Sequence, residues 1–407
     1  MEQTQADKVQ EITDKLEQGI KDLFDSEKYM NYLKVMSKFH NYSFNNSLLI
    51  AMQKPDATFV AGYTSWQANF HRNVNKGEHG IKILAPSPYR INKDVEKIDP
   101  DTQQPILGKN GEPLKERVQV TIPAYKLAYV YDISQTSGEE LPEISKELSG
   151  DIKEYERFFE AIRKAAPVPI EICSIMTGAN GFYHLEEKKI AIREGMSHSQ
   201  TVKTAIHETA HAKLHDKDNG VEKDNLPDRR TKEVEAESIA YTVCQHFGID
   251  TSEYSFGYVA GWSSGKSLDE LKSSMNTIRT TASKIIRDIE KELVLIEQEE
   301  KITQLAHKID DFVKEYDPYE YADQVEDREA NVERIKADLK AGNTDHYQKW
   351  FKPIIEDEEQ IEMRDKATNI SEQIKGFSKV KSVQDISKTI GEEKTMDVVK
   401  THHRSRR

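Results

Sequence analysis

An α+β fold is what this sequence predicts, and three observations lead to it. Apolar residues recur at spacings of three and four within 9–36, 201–215, 236–247 and 268–296, the period of one face of an α-helix. Alternation of apolar and polar residues, the period of a strand, appears in the short runs 81–85, 118–122 and 126–132. Clusters rich in Gly, Pro, Asn and Asp separate those runs, as at Asp99-Pro100 and Gly108-Lys109-Asn110-Gly111. A chain of 407 residues is long enough for two or three domains, and we place boundaries near 145 and 300.

Composition narrows the class. Hydrophobic residues make up 36% of the chain and the mean hydropathy is −0.75. No apolar run approaches the roughly 20 residues that span a bilayer. The amino terminus lacks the basic and apolar segments of a signal peptide, so the expectation is a cytoplasmic protein with no membrane partner. Cys173 and Cys244 each sit among apolar neighbours and read as buried thiols, not as a disulfide framework. The net charge of −13 argues against a protein that coats nucleic acid with its whole surface.

Taken in order, residues 1–40 carry two helical runs, Val9, Ile12, Leu16, Ile20 and Leu23, then Tyr29, Leu33 and Met36. From 28 to 93, nine Lys/Arg stand against two acids, a local net charge of +7. Tyr42, Phe44, Phe59, Tyr63, Trp66 and Phe70 are interleaved with those cations. A single-stranded nucleic-acid platform needs cations to track phosphates and aromatic faces to stack on bases. Tyr63, Trp66, Arg72, Lys76 and Lys82 are therefore the candidate DNA-binding residues; the ordinary alternative for such aromatics is a hydrophobic core. The strands at 81–85 and 118–122 bracket a turn-rich insertion and read as a long hairpin. Residues 126–132 form a further strand, and the polar stretch 134–142 reads as a linker between domains. Residues 151–166 form a helix and 170–173 a short strand. Residues 181–185 and 188–192 then make a hairpin, either an edge that could pair with an extended peptide or a plain structural element.

The next helix, 201–215, holds the chemistry. His207, Glu208 and His211 form an HExxH pattern. Residues four apart lie one turn apart on the same helical face, so both imidazoles can reach one ion, and Glu208 stands beside it. A zinc site needs a third protein ligand and an open position for water. The candidates lie on the helix at 232–244, where Ala236, Ala240, Val243 and Phe247 cluster on one side. Glu233 and Glu237 fall along one edge of that side and Glu235 beyond the other. The expectation is Glu233 as third ligand, Glu237 orienting a ligating histidine, and Glu235 solvated. His215, two turns from His207, is at most a residue of the rim or of the layer behind the ligands. Zn2+ held there would acidify a bound water, with Glu208 as general base. The bland reading is an exposed helix with scattered histidines.

Beyond the site, 256–262 is an apolar turn. Leu271, Met275, Ile278, Ala282, Ile285, Ile289, Leu293 and Ile296 then form a narrow seam, suited to self-association or to packing within the chain. Residues 316–366 are highly charged, with helical patches around 332–339 and an aromatic cluster of Tyr347, Trp350 and Phe351. The tail from 375 is rich in Lys and Arg and reads as flexible.

Several of these pieces together resemble a known family. Asn45-Asn46-Ser47-Leu48-Leu49-Ile50, Trp66 and the run from Val74 to Ile81 look like the amino-terminal domain of ArdC-type antirestriction proteins of conjugative elements. Gly181-Phe182-Tyr183, Ile190-Ala191-Ile192, His207 to His211 and Glu233 to Glu237 are similar to their zincin metallopeptidase domain, which also resembles the ImmA/IrrE peptidases. The resemblance implies a single-stranded-DNA-binding domain over 1–145 and a zincin-like metallopeptidase domain over 146–300. In that family Zn2+ is bound by two His and a Glu, the Glu falling on Glu233; the resemblance does not name the peptidase substrate, and the expectation for this chain is an unknown protein. About residues 301–407, a charged helical extension, it implies little.

Overall fold

Two capped helices open the chain. Thr4 and Asp7 close a capping box on α1 (Gln5–Asp22), and Asp25 accepts from the backbone N–H groups of Glu27 and Lys28 to start α2 (Ser26–Lys38). Their apolar stripes face inward: Ile12, Leu16, Ile20 and Leu23 on the first, Tyr29, Leu33 and Met36 on the second are buried. The computed structural model describes residues 4–99, 104–107, 111–141, 152–216, 227–252, 254–357 and 359–378. The tail beyond 378 lies outside the described residues.

Ser43 caps α3 (Phe44–Gln53), which leads to β1 (Val60–Gly62), α4 (Tyr63–Phe70), β2 (Arg72–Val74), β3 (Ile81–Pro86), β4 (Tyr89–Glu96), β5 (Lys115–Ile122), β6 (Tyr125–Asp132) and β7 (Thr136–Gly138). The α+β class is what the structure has. The pairing differs from the sequence reading in one respect. β3 pairs not with β5 but antiparallel with β6, which is central between β1 and β3. β5 pairs with β4, a strand that alternation did not pick out, in a separate two-stranded ribbon.

One face of the three-stranded sheet is apolar, with Val60, Ile81, Ile83 and Val130 packed against Val35, Phe39, Ile50 and Ala57. The free edge of β3 is occupied by side chains of α3. Asn46 donates to the carbonyl of Leu84 (3.0 Å) and accepts from its N–H (2.9 Å). Gln53, two turns along, does the same at Lys82 (2.9 Å each). Two side-chain amides thus stand in for a neighbouring strand and satisfy edge groups that would otherwise invite another chain. The segment read as a linker, 134–142, is largely structured: β7 pairs antiparallel with β2 and Asp132 caps the preceding 3-10 turn Ile133–Gln135. Residue 142 lies outside the described residues.

Next come α5 (Ile152–Ala165), β8 (Ile170–Cys173), β9 (Gly181–His184), β10 (Lys189–Arg193) and α6 (His198–Leu214). β10 is central, parallel to β8 and antiparallel to β9, so β9 is an edge strand. Gly181 has no room for a side chain, since a Cβ there would come within 2.6 Å of Thr204 and 2.9 Å of the Ala191 carbonyl. α7 (Arg229–His246), capped by Asp228, and α8 (Val259–Ser263) precede the long α9 (Leu268–Tyr316). The seam of α9 is buried from Leu271 to Ile289, while Leu293 and Ile296 are half-buried. α10 (Pro318–Gln324), α11 (Arg328–Ala341), α12 (Asp345–Glu356) and α13 (Ile361–Ser378) follow. Tyr347 and Phe351 of the aromatic cluster lie in a core with Leu305, Ile309, Ile335, Leu339 and Ile374.

The chain divides into two compact units, 1–147 with 206–283 and 148–205 with 284–407. The first break, between 147 and 148, falls close to the boundary expected near 145, but 206–283, with the site residues of the histidine helices, groups with the amino-terminal region. Tyr29 shares a hydrogen bond with Ser238 (2.8 Å), and His246 donates to the carbonyl of Ser37 (2.9 Å). Phe24 meets Trp262, and Tyr29 meets Phe256, both edge to face. Cys173 is half-buried and Cys244 buried; both are thiols. Among the described residues no helix is long and apolar enough to cross a membrane.

Candidate functional site

The site stands on α6 and α7. α6 needs no favourable surface pattern to hold its place, since Val202, Ala205, Ile206, Ala210 and Ala212 are all buried. His207 and His211 are one turn apart, and their Nε2 atoms approach to 3.1 Å. Glu233, near the start of α7, brings Oε2 to 3.7 Å from each. These three residues form the group, among the described residues, whose donor atoms all lie within 4.8 Å of one another. Donors about 2.0–2.1 Å from a tetrahedral zinc stand about 3.3 Å apart, so the spacing fits a cation. The ring of His207 is pushed down by burial, yet its hydrogen bond to Glu233 and the nearby Glu208, Glu233 and Glu237 leave it raised. Hydrogen bonds from His207 and His211 hold the Glu233 carboxyl far below the usual carboxylate range. Glu208 is buried beside His207.

The surroundings correct three expectations. From Val234 to Cys244 every residue of α7 except Glu237 is buried, so the helix has no solvated face there and the argument from one apolar side fails. Glu235 is not solvated: it is buried and its Oε2 lies 3.3 Å from Nε2 of His215. His215 in turn lies behind His211, with the two Nδ1 atoms 2.8 Å apart. Burial, together with its neighbour His211, outweighs Glu235 and holds the His215 ring below its usual value. Glu237, expected to orient a histidine, instead accepts from the hydroxyl of Tyr258 (2.9 Å). Burial and the adjacent carboxylate push that phenol well above its usual range.

The candidate DNA-binding residues separate into two kinds. Trp66 is fully buried and its indole N–H donates to the carbonyl of Tyr131 (2.9 Å), so it is core and offers no face to a base. Arg72 is a strand clamp: its guanidinium donates to the hydroxyl (2.8 Å) and carbonyl (3.0 Å) of Thr136 and to the carbonyls of Gly138 and Glu139. Burial on one side and saturated donors on the other remove both from a groove. Tyr63 is half exposed, Lys76 is exposed on a turn and Lys82 partly so.

The sequence reading missed Tyr125 and Tyr129, both about half exposed. With Leu127 and Tyr131 they occupy every second position of β6 and so share one face, and register places Tyr129 opposite Lys82 and Tyr125 opposite Pro86. Residues opposite one another in a ladder share a face. Tyr131 meets Tyr63 edge to face at 6.2 Å. Lys82, Tyr129, Tyr131 and Tyr63 thus form one strip of aromatic and basic groups. The period-two spacing of tyrosines at 125, 129 and 131 was the available signal.

Residues 2–131 match the family model for the N-terminal domain of anti-restriction factor ArdC. The amino-terminal third resembles that ArdC domain. An uncharacterised protein of Bacillus anthracis is 31% identical over 323 residues, covering 72% of this chain; the chain spans 53% of that protein's length. Two solved structures are also similar, the metal-free and Mn(II)-bound crystal structures of the antirestriction ArdC protein from plasmid R388. They have TM-scores of 0.36 and 0.35 and identities of 21% and 20%, and each covers 62% of this chain and 85% of its own.

Proposed function

We propose that this is an antirestriction protein of a mobile element that binds single-stranded DNA and carries a zinc-dependent peptidase centre. The ArdC-like match over 2–131 supports the DNA-binding half, together with the strip of Lys82, Tyr129, Tyr131 and Tyr63. The observation that carries the chemical half is the convergence of His207, His211 and Glu233 next to a buried Glu208. His207, His211 and Glu233 would hold the cation. When bound, Zn2+ supplies Lewis-acid polarisation and acidifies water. Glu208 takes the proton of the attacking water and returns it to the leaving amine. The substrate is a polypeptide.

Glu208→Gln separates the halves. It is expected to retain zinc, to bind single-stranded DNA within about twofold of wild type, a change well under the roughly 1.4 kcal/mol of a tenfold difference, and to lose peptide hydrolysis by at least about a hundredfold. Hydrolysis that survives in Glu208→Gln, or stoichiometric zinc in His211→Ala, overturns the enzymatic reading. A conjugation assay then assigns the biological role. Protection of incoming DNA by Glu208→Gln as good as wild type would mean that occlusion of DNA, not proteolysis, defeats restriction.

A further inference from the structure

His211 has two ring nitrogens with different tasks. Nε2 faces His207 (3.1 Å) and Glu233 (3.7 Å), while Nδ1 faces Nδ1 of His215 at 2.8 Å. To offer a lone pair to a cation at Nε2, the neutral ring must carry its proton on Nδ1. That proton then points at His215, whose Nδ1 must accept, so the proton of His215 sits on Nε2. His215 Nε2 lies 3.3 Å from the Glu235 carboxylate, which only accepts. Every position in the chain is thereby assigned, one donor to one acceptor. The opposite assignment fails at both ends. It would aim an N–H of His211 into the cation site and set a lone pair of His215 against the carboxylate of Glu235.

We propose that Glu235 and His215 are positioning residues: a buried carboxylate–imidazole chain that holds His211 in the tautomer competent to bind a metal. Both side chains are only 6% exposed, so water does not compete for these hydrogen bonds. The arrangement extends by one imidazole the common device in which a carboxylate accepts the second N–H of a metal-bound histidine. It also accounts for a carboxylate at a position on α7 where an apolar residue would otherwise be expected, between buried Val234 and Ala236. The inference rests on reading His207, His211 and Glu233 as a metal site.

The test uses the full chain, stripped of metal, in wild-type form and as Glu235→Gln, Glu235→Leu and His215→Phe. Zn2+ affinity is measured by competition with a chromophoric chelator. The tautomer of His211 is read directly by long-range 15N–1H correlation on the metal-free protein, a signature that a merely structural role would not move. The chain predicts wild type with His211 protonated at Nδ1, and a mixed or Nε2-protonated ring in Glu235→Gln, whose amide can turn its NH2 towards His215. Zinc affinity should fall about 10- to 100-fold in Glu235→Leu and His215→Phe. It should fall by less in the near-isosteric Glu235→Gln, which keeps the folded state if the other two do not. Variants that bind zinc within about twofold of wild type, with the His211 tautomer unchanged, overturn the chain and leave the metal site standing. A wild-type protein that binds no Zn2+ or Co2+ any better than His211→Ala overturns the metal-site reading itself, and the chain with it.

Discussion

Asp132 shows how much one side chain can organise. It is buried, yet its carboxylate accepts from the backbone N–H groups of Thr58 (2.8 Å), Phe59 (3.1 Å) and Ser134 (3.0 Å). Burial raises its pKa, but these bonds outweigh burial and hold it below the usual 3.8. A carboxyl depressed in the folded state contributes stability that is present above 3.8 and is lost as pH falls through the folded value. Asp132→Asn must turn an NH2 towards one of those donors. It should cost about 2–3 kcal/mol at pH 7, the range for charged hydrogen bonds lost in a buried site, and the deficit should shrink in acid. Denaturant melts of both proteins at pH 7 and pH 3 check the sign; a deficit that grows in acid contradicts it. The same scale tests the strip proposed to bind DNA. Lys82→Ala with Tyr129→Ala should weaken single-stranded-DNA binding and reduce the slope of log affinity against log salt by roughly 0.7, one phosphate contact. Trp66→Ala should instead destabilise the fold by about 3–5 kcal/mol. HExxH was legible because its spacing is local. The roles of Glu235 and Trp66 were not, because burial is a property of what packs around a residue.

At the scale of elements, periodicity was a good guide to which segments are helical and a poor one to how strands pair. α1, α2, α6 and α7 were each placed from their apolar spacing, and so were the strands β3, β5 and β6. The partner of β3 was misread because alternation gives a strand its faces but not its neighbours, and β4, with both faces largely exposed, has no apolar alternation to show. α7 was misread in the other direction: a helix buried all round carries little amphipathic signal to orient it. The carboxy-terminal helices offer a test of this kind of hidden polar organiser. Asp310 of α9 is fully buried and accepts from Tyr321 (2.8 Å) on α10, and from Arg328 (2.8 Å) and Asn331 (2.6 Å) on α11. It ties three helices through one carboxylate, which those bonds hold below its usual value against burial. Asp310→Ala leaves several donors without their acceptor and should cost about 3–5 kcal/mol. Asp311→Ala, whose carboxylate is largely exposed beside the same arginine, should cost under about 1 kcal/mol. Equal losses in the two variants would mean that the buried hub is not what holds these helices.

For the whole molecule, the question is whether a stretch that matches a domain family is also a folding unit. Residues 2–131 match the ArdC amino-terminal domain, but the compact unit that contains them also includes 206–283. The reason is visible in the core. α2 buries Tyr29 against Phe256 and Ser238, Phe24 packs on Trp262, and the backbone carbonyls of Ser37 and Tyr42 accept from His246 and Arg279. Cut after residue 147, those carbonyls and aromatic faces would lose partners that lie far along the chain. A long separation between contacting segments leaves no local pattern to read, which is why nothing in the sequence joined 206–283 to the unit that ends at 147. The fragment 1–147 is therefore expected to lose the sharp near-ultraviolet dichroism of packed aromatics, to bind a hydrophobic dye, and to melt without a cooperative transition, while keeping much of its helix signal. Its affinity for single-stranded DNA should fall well below that of the full chain, since Tyr129 and Lys82 stand on a sheet whose apolar face rests on α2 and α3. A fragment that melts cooperatively and binds DNA as tightly as the full protein would show that the sheet and its two helices suffice, and that the histidine helices are packed onto a domain already complete.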